Sequence, residues 1–123
     1  MMRTILTVDD STSMRQMVKA TLQSAGYDVV EAADGQEALE WARGNTVDLV
    51  ISDVNMPRMD GITLVGQLRA LPSYRLTPLL LLTTESSQEK KMEGKRAGAT
   101  GWIVKPFNPA QLLTTLNKLF GTA

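Results

Sequence analysis

The chain has 123 residues with 13 basic and 13 acidic side chains, a size for one domain that buries most of its apolar surface. The balanced charge and the lack of a basic block argue against a nucleic-acid-binding surface. Cysteine and histidine are both absent, which excludes disulfides, thiolate metal sites, cysteine nucleophiles and any imidazole base or ligand from the chain itself.

Strand-like and helix-period segments alternate from end to end. Thr4 to Val8 is the first expected strand; Met14, Met17, Val18, Leu22 and Ala25 then recur at the three- and four-residue steps of a helix face. Gly26 reads as the C-cap of that helix. A short strand around Asp28 to Val30 precedes a second helix near Gln36 to Arg43, opened by Asp34-Gly35 and stopped by Gly44-Asn45. Val47 to Ser52 is an apolar run between turn residues, as in a strand covered on both faces. The turn-rich loop Asn55-Met56-Pro57-Arg58-Met59-Asp60-Gly61 leads into a helix from about Ile62 to Leu71, with Leu64, Val65 and Leu68 on one face. Leu79 to Leu82, preceded by Pro78, is too short for an independent helix and is expected as a central strand. A polar helix over about Ser87 to Ala97, a strand from Gly101 to Val104 and a helix from Pro109 to Phe120 complete the pattern. No apolar run approaches the roughly 20 residues of a membrane span, and no signal-peptide pattern opens the chain, so a soluble cytoplasmic protein is expected.

Five strand–helix units predict a parallel sheet covered on both faces and joined by right-handed crossovers. The chain stops just after the fifth helix, so residues 1–123 are expected to form a single domain. In such open sheets ligands collect at the carboxyl ends of the strands. Asp9 and Asp10 end the first strand, Asp53 the third, Thr83 the fourth and Lys105 the fifth. Three converging carboxylates repel one another unless a cation or a shared proton offsets them. They suit a hard, oxygen-seeking ion that retains several waters, which points to Mg2+. The aspartate nearest such a metal can also attack phosphorus and form an aspartyl phosphate. Phosphoryl transfer further calls for a fixed cation and a hydrogen-bond donor, which Lys105 and Thr83 offer. With no histidine in the chain, a phosphohistidine donor must come from another protein.

Each residue taken singly has a plainer reading. Asp10 before Ser11-Thr12 fits a helix N-cap, and Asp53 fits a turn. Thr83 is an ordinary strand end, and lysines such as Lys105 are usually solvated. Glu89, Lys90, Lys91, Glu93, Lys95 and Arg96 read as a solvated helix face, and the methionines as core filler. Joint placement of the polar set on one rim favours the functional reading.

Val8-Asp9-Asp10-Ser11, the run from Asp53 to Gly61, Thr83-Thr84-Glu85 and the run from Gly98 to Phe107 resemble the response-regulator receiver domain, in that family's order and spacing and over the whole chain. Asn55-Met56-Pro57, Lys105-Pro106-Phe107 and the expected lack of an output domain bring it nearest to stand-alone chemotaxis regulators of the CheY type. The resemblance implies a flavodoxin-like (βα)5 fold, a doubly wound parallel five-stranded sheet in the order 2-1-3-4-5. It implies a two-component phosphorelay in which a histidine kinase phosphorylates Asp53 with Mg2+. The metal would be held by Asp9, Asp10, Asp53 and the backbone carbonyl of Asn55. Lys105, before a cis bond to Pro106, would pair with the phosphoryl oxygens. Thr83 would move to the phosphoryl group and Trp102 would swing inward, altering the face made by the fourth helix, fifth strand and fifth helix. Asn55 and Glu85 would influence the phosphoryl lifetime. Chemotaxis regulators usually carry tyrosine at the position of Trp102; tryptophan is larger and offers only an N–H donor.

The same resemblance implies a cytoplasmic monomer that binds neither nucleic acid nor membrane and acts on a downstream protein such as a flagellar-motor switch component. Its chemistry would be on itself alone, not that of a conventional enzyme. A phosphorelay shuttle, a phosphate sink or a receiver domain cut from a larger regulator would present the same residues. A flavodoxin-like FMN carrier would need a phosphate loop after the first strand; Ser11-Thr12-Ser13 offers hydroxyls, but two aspartates precede it and no glycine follows. A haloacid-dehalogenase-type phosphatase would carry Asp-x-Asp at the first strand, whereas Asp9 and Asp10 are adjacent.

Overall fold

The computed structural model describes residues 2–121. Strands and helices alternate as β1 (Thr4–Val8), α1 (Thr12–Ser24), β2 (Asp28–Ala32), α2 (Gly35–Ala42), β3 (Leu49–Ser52), α3 (Gly61–Arg69), β4 (Leu79–Thr83), α4 (Gln88–Ala97), β5 (Gly101–Val104) and α5 (Pro109–Phe120). Every strand pair is parallel, in the order β2-β1-β3-β4-β5. This is the doubly wound sheet that the motifs imply.

Alternate strand residues feed two cores. Leu6, Val8, Val50, Leu79 and Leu81 pack with Ala38, Leu39 and Ala42 of α2 and with Leu64, Val65 and Leu68 of α3. Ile5, Leu49, Ile51, Leu80 and Leu82 pack with Val18 and Leu22 of α1 and with Leu112 and Leu116 of α5. Cover on both faces is why β3 and β4 read as unbroken apolar runs rather than alternating ones. Full burial of one such leucine stabilises the fold by about 2 kcal/mol.

All five helices begin on a side-chain cap. Ser11 accepts from the Met14 amide at 3.3 Å, Asp34 from Glu37 at 2.9 Å, Asp60 from Thr63 at 2.7 Å, Ser87 from Lys90 at 3.2 Å and Asn108 from Ala110 at 2.9 Å. Each cap contributes about 1 kcal/mol. Because the strands run parallel, these helix starts share one rim with the strands' carboxyl ends.

Several boundaries differ from the sequence expectation. β2 continues to Ala32, since it pairs with β1 over its whole length. Ala25 rather than Gly26 caps α1, and Gly26 follows at φ +92°. α3 stops at Arg69 and is followed by a 3-10 turn, Pro72–Tyr74, that periodicity did not reveal. Tyr74 is fully buried there, its hydroxyl donates to the Asn45 carbonyl at 2.7 Å, and burial pushes its phenol pKa up. Arg69 ties this end of the molecule together: Nη1 donates to the carbonyls of Tyr74 (2.8 Å) and Thr77 (2.7 Å), and Nε to that of Gly98 (2.9 Å). Gly98 caps α4 at φ +113°, and a Cβ on it would lie 2.7 Å from Arg69 Cγ.

Among the described residues, the methionines are core filler only in part. Met14, Met56 and Met59 are half-buried at core edges, while Met2, Met17 and Met92 are exposed. Met17 precedes Val18 by one residue, about 100° of helix rotation, and Val18 takes the inward position. Ala25 is exposed as well. Among the described residues no helix is long and apolar enough to cross a membrane.

Candidate functional site

Strand register brings the acidic residues together. Val8 of β1 lies opposite Ser52 of β3, and the Asp53 amide donates to the Val8 carbonyl at 2.9 Å, so Asp9 and Asp53 stand side by side. Asp9, Asp10 and Asp53 each offer a carboxylate oxygen, all within 4.8 Å of one another. Asp9 and Asp53 are buried, whereas Asp10 is exposed. β5 delivers Lys105 to the same place. Its amide donates to the Thr83 carbonyl at 2.7 Å, and its Nζ donates to Asp9 Oδ2 at 3.0 Å and Asp53 Oδ2 at 3.3 Å. One ammonium against three carboxylates leaves the cluster short of positive charge.

The oxygens that Lys105 does not take are held by the backbone. Asp9 Oδ1 accepts from the Ser11 amide at 2.9 Å, and Asp53 Oδ1 from the Val54 amide at 2.7 Å. The Asp9 carbonyl accepts from Arg15 Nη1 at 2.7 Å, and Arg15 is itself paired with Glu31 at 3.3 Å. Behind Asp53, the Gly61 amide donates to the Val54 carbonyl at 2.8 Å. A Cβ on Gly61 would collide with the Asp53 carbonyl and come within 3.1 Å of Leu81. Only glycine lets α3 start this close to the end of β3.

A second chain of contacts leaves the rim. Thr83 is fully buried and its Oγ1 accepts from the Glu85 amide at 3.2 Å. The Glu85 carbonyl accepts from Trp102 Nε1 at 2.9 Å. The half-buried indole lies against Gly94 of α4, where a Cβ would be 3.0 Å from the ring and from Leu81. One loop residue, Glu85, thus touches both the threonine and the indole.

The cluster's donors are carboxylate oxygens, a set that fits Mg2+ rather than a metal that prefers nitrogen or sulfur. The profile of the response regulator receiver domain matches residues 5–117. The chain is a response-regulator receiver domain. Chemotaxis protein CheY-3 of Vibrio cholerae is 41% identical to it over 117 residues, which cover 94% of this chain and 90% of that protein. The solved structure of V. cholerae chemotaxis protein CheY4 matches with a TM-score of 0.92 and 57% identity, covering 97% of this chain and 99% of that one. The receiver domain of a Pseudomonas aeruginosa sensor histidine kinase matches with a TM-score of 0.91 and 30% identity, covering 99% of this chain and 100% of that one. That structure has a magnesium ion coordinated in the active site cleft.

In this receiver domain Lys105 pairs with Asp9 and Asp53, and Asp10 offers an oxygen within 4.8 Å of theirs. Asn55 is exposed at the start of the β3–α3 loop, and the Lys105–Pro106 bond is cis. Thr83 shares the rim, with its hydroxyl engaged by Glu85. Ser11, not Asp10, caps α1, so capping does not account for Asp10. The sequence reading missed Arg15, Gly61 as a packing requirement, and Gly94. A glycine inside a helix costs about 1 kcal/mol relative to alanine, and that cost was the one available signal for Gly94.

Proposed function

We propose that this receiver domain accepts a phosphoryl group on Asp53 from a phosphohistidine of a partner kinase and uses it to switch the surface of α4, β5 and α5. The observation that carries this reading is Lys105 seated between the buried carboxylates of Asp9 and Asp53, with Asp10 beside them. Asp9, Asp10, Asp53 and the Asn55 backbone carbonyl would hold Mg2+. The metal would neutralise charge on the phosphoryl oxygens during transfer.

Asp53 Oδ1 is anchored on the Val54 amide, so Oδ2, the oxygen beside Lys105, is the nucleophile. It attacks phosphorus while the P–N bond to the donor imidazole breaks, and the departing imidazole takes up a proton. Lys105 moves from the Asp53 carboxylate onto a phosphoryl oxygen. The added group carries about −2 charge. Thr83 then exchanges the Glu85 amide for a phosphoryl oxygen. Because the Glu85 carbonyl holds the Trp102 indole, and the indole lies against Gly94, that exchange reaches α4 through two residues, Glu85 and Trp102. Water ends the signal by hydrolysing the aspartyl phosphate, so the chemistry stays on the protein's own side chain.

Similarity to CheY proteins supports a role in chemotaxis, a histidine kinase as donor and a flagellar-motor switch component as target. A cytoplasmic monomer composed of one receiver domain belongs to the same reading. The test is incubation with Mg2+ and acetyl phosphate followed by intact-mass measurement. One phosphate adduct is expected, absent from Asp53→Asn. No adduct, or one that survives the substitution, refutes the mechanism.

A further inference from the structure

We infer that Arg58 is a positioning residue for the metal site: its ion pair with Asp34 clamps the β3–α3 loop to α2 and fixes the course of the segment that carries Asn55. The inference rests on the proposed reading of Asp9, Asp10, Asp53 and the Asn55 carbonyl as Mg2+ ligands.

Arg58 is the only non-glycine residue at positive φ among the described residues, at +67°. A Cβ disfavours that region, so surrounding contacts must hold the residue there. Those contacts are visible. Arg58 Nε donates to Asp34 Oδ2 at 3.1 Å, and Nη2 donates to Oδ1 at 3.1 Å and Oδ2 at 2.9 Å. This is a bidentate fork of the kind only arginine makes. Arg58 keeps 60% of its side-chain exposure, but its partner Asp34 keeps 12%. Asp34 is fixed independently, because its Oδ1 also caps α2 through the Glu37 amide.

The backbone beside the fork is equally close. A Cβ on Gly35 would lie 2.7 Å from the Met59 carbonyl and 3.0 Å from the Met59 side chain, so the loop runs flush against the first residue of α2. The Met59 amide donates to the Pro57 carbonyl at 2.7 Å, and Met56 and Met59 rest on the core. At the other end, the Gly61 amide holds the Val54 carbonyl. The loop is therefore anchored at Val54 and again at Arg58 and Met59, and Asn55 lies in the short span between. Magnesium demands near-ideal octahedral geometry, so order in a span that carries a ligand carbonyl translates into affinity.

Electrostatics and positioning predict opposite signs. Removing a cation near an acidic site should tighten Mg2+ binding by charge alone. Loss of the clamp should weaken it. Arg58→Gly is the informative variant, since glycine adopts the positive φ without strain and keeps the fold. Calorimetric Mg2+ titration of Arg58→Gly should give an affinity about 3- to 10-fold below wild type, the scale of one partly exposed ion pair with its loop order. Amide hydrogen exchange over residues 55–60, measured in EDTA, should quicken. Asp34→Asn keeps the oxygen that caps α2 but loses the charge, and should weaken Mg2+ to a similar degree; the double variant should lose no more than either single one. Arg58→Gly that binds Mg2+ as tightly as wild type or tighter, or that leaves loop exchange unchanged, overturns the inference alone. Wild-type protein that binds no Mg2+ overturns the metal-site reading and the inference with it.

Discussion

Replacing Lys105 with methionine removes the ammonium and keeps most of the stem, which isolates the charge. In wild type Nζ lies 3.0 Å from Asp9 Oδ2 and 3.3 Å from Asp53 Oδ2. At an effective dielectric constant of about 20, one such contact is worth about 5 kcal/mol before desolvation. The Lys105 side chain keeps only 10% of its exposure, so most of that gain is offset by the cost of stripping water from the ion. A net loss of about 2 kcal/mol in the metal-free protein is expected, because two buried carboxylates and Asp10 are left facing one another. Magnesium held as proposed would supply the missing charge, so the loss should shrink when the metal saturates the site. By linkage, Mg2+ should then bind about 5- to 30-fold more tightly to Lys105→Met, for 1–2 kcal/mol recovered. Urea unfolding in EDTA and in excess Mg2+, with calorimetric Mg2+ titration, measures both quantities. The phosphate adduct from acetyl phosphate should disappear even as the metal binds better. Unchanged metal-free stability together with unchanged Mg2+ affinity would mean that Lys105 is not the cluster's charge partner.

Three further outcomes follow from other contacts. Gly61→Ala should lower stability by about 1–2 kcal/mol, overpacking against the Asp53 carbonyl exceeding the gain in helix propensity, and should slow adduct formation; equal stability and rate in urea and mass measurements would show that the β3 end yields freely. The Glu37 amide chiefly, with Arg58 adding to it against the opposing effect of burial, holds the Asp34 carboxyl below its ordinary pKa. Its stabilisation is therefore present above about pH 4 and fades as pH falls through the lowered value, so Asp34→Asn should flatten the acid limb of a stability–pH profile, and an unaltered limb would count against it. Gly94→Ala should favour α4 by about 1 kcal/mol yet crowd the indole, so in a Trp41→Phe background Trp102 emission should shift to the red, whereas unchanged emission would mean that Leu81 or the ring yields without leaving.

Much of the site was legible because a parallel sheet sends every strand's carboxyl end to one rim. Asp9, Asp53, Thr83 and Lys105 could be placed together once their strands were recognised, and the Val8–Ser52 register only sharpened side-by-side into contact. The four leucines of β4 were equally plain, since cover on both faces leaves no alternation to misread. Phase was harder than period. The α1 pattern admitted Met17 to the inner face, and one residue of rotation gave the place to Val18. Contacts between distant segments left no local trace: Arg58 meets Asp34 across 24 residues, and Tyr74 meets Asn45 across 29. The size of Trp102 was legible in the sequence but its neighbour was not, and only the packed molecule sets the large ring against Gly94, where a Cβ would lie 3.0 Å from it.

The grip of Arg69 on Gly98 has a mechanical consequence for α4. On the proposed switch, a helix held at its C-terminal cap and joined at its other end to the Thr83–Glu85 loop would turn as a lever about Gly98. Ten residues make an arm of about 15 Å, so a tilt of roughly 10° would carry the Gln88 end about 2–3 Å and leave Ala97 almost in place. Displacement would then grade along the helix, greatest in the first turn around Glu89 and least beside Arg96. A partner that grips the first turn of α4 would read the largest stroke, and one that grips the last turn would find a fixed handle in either state.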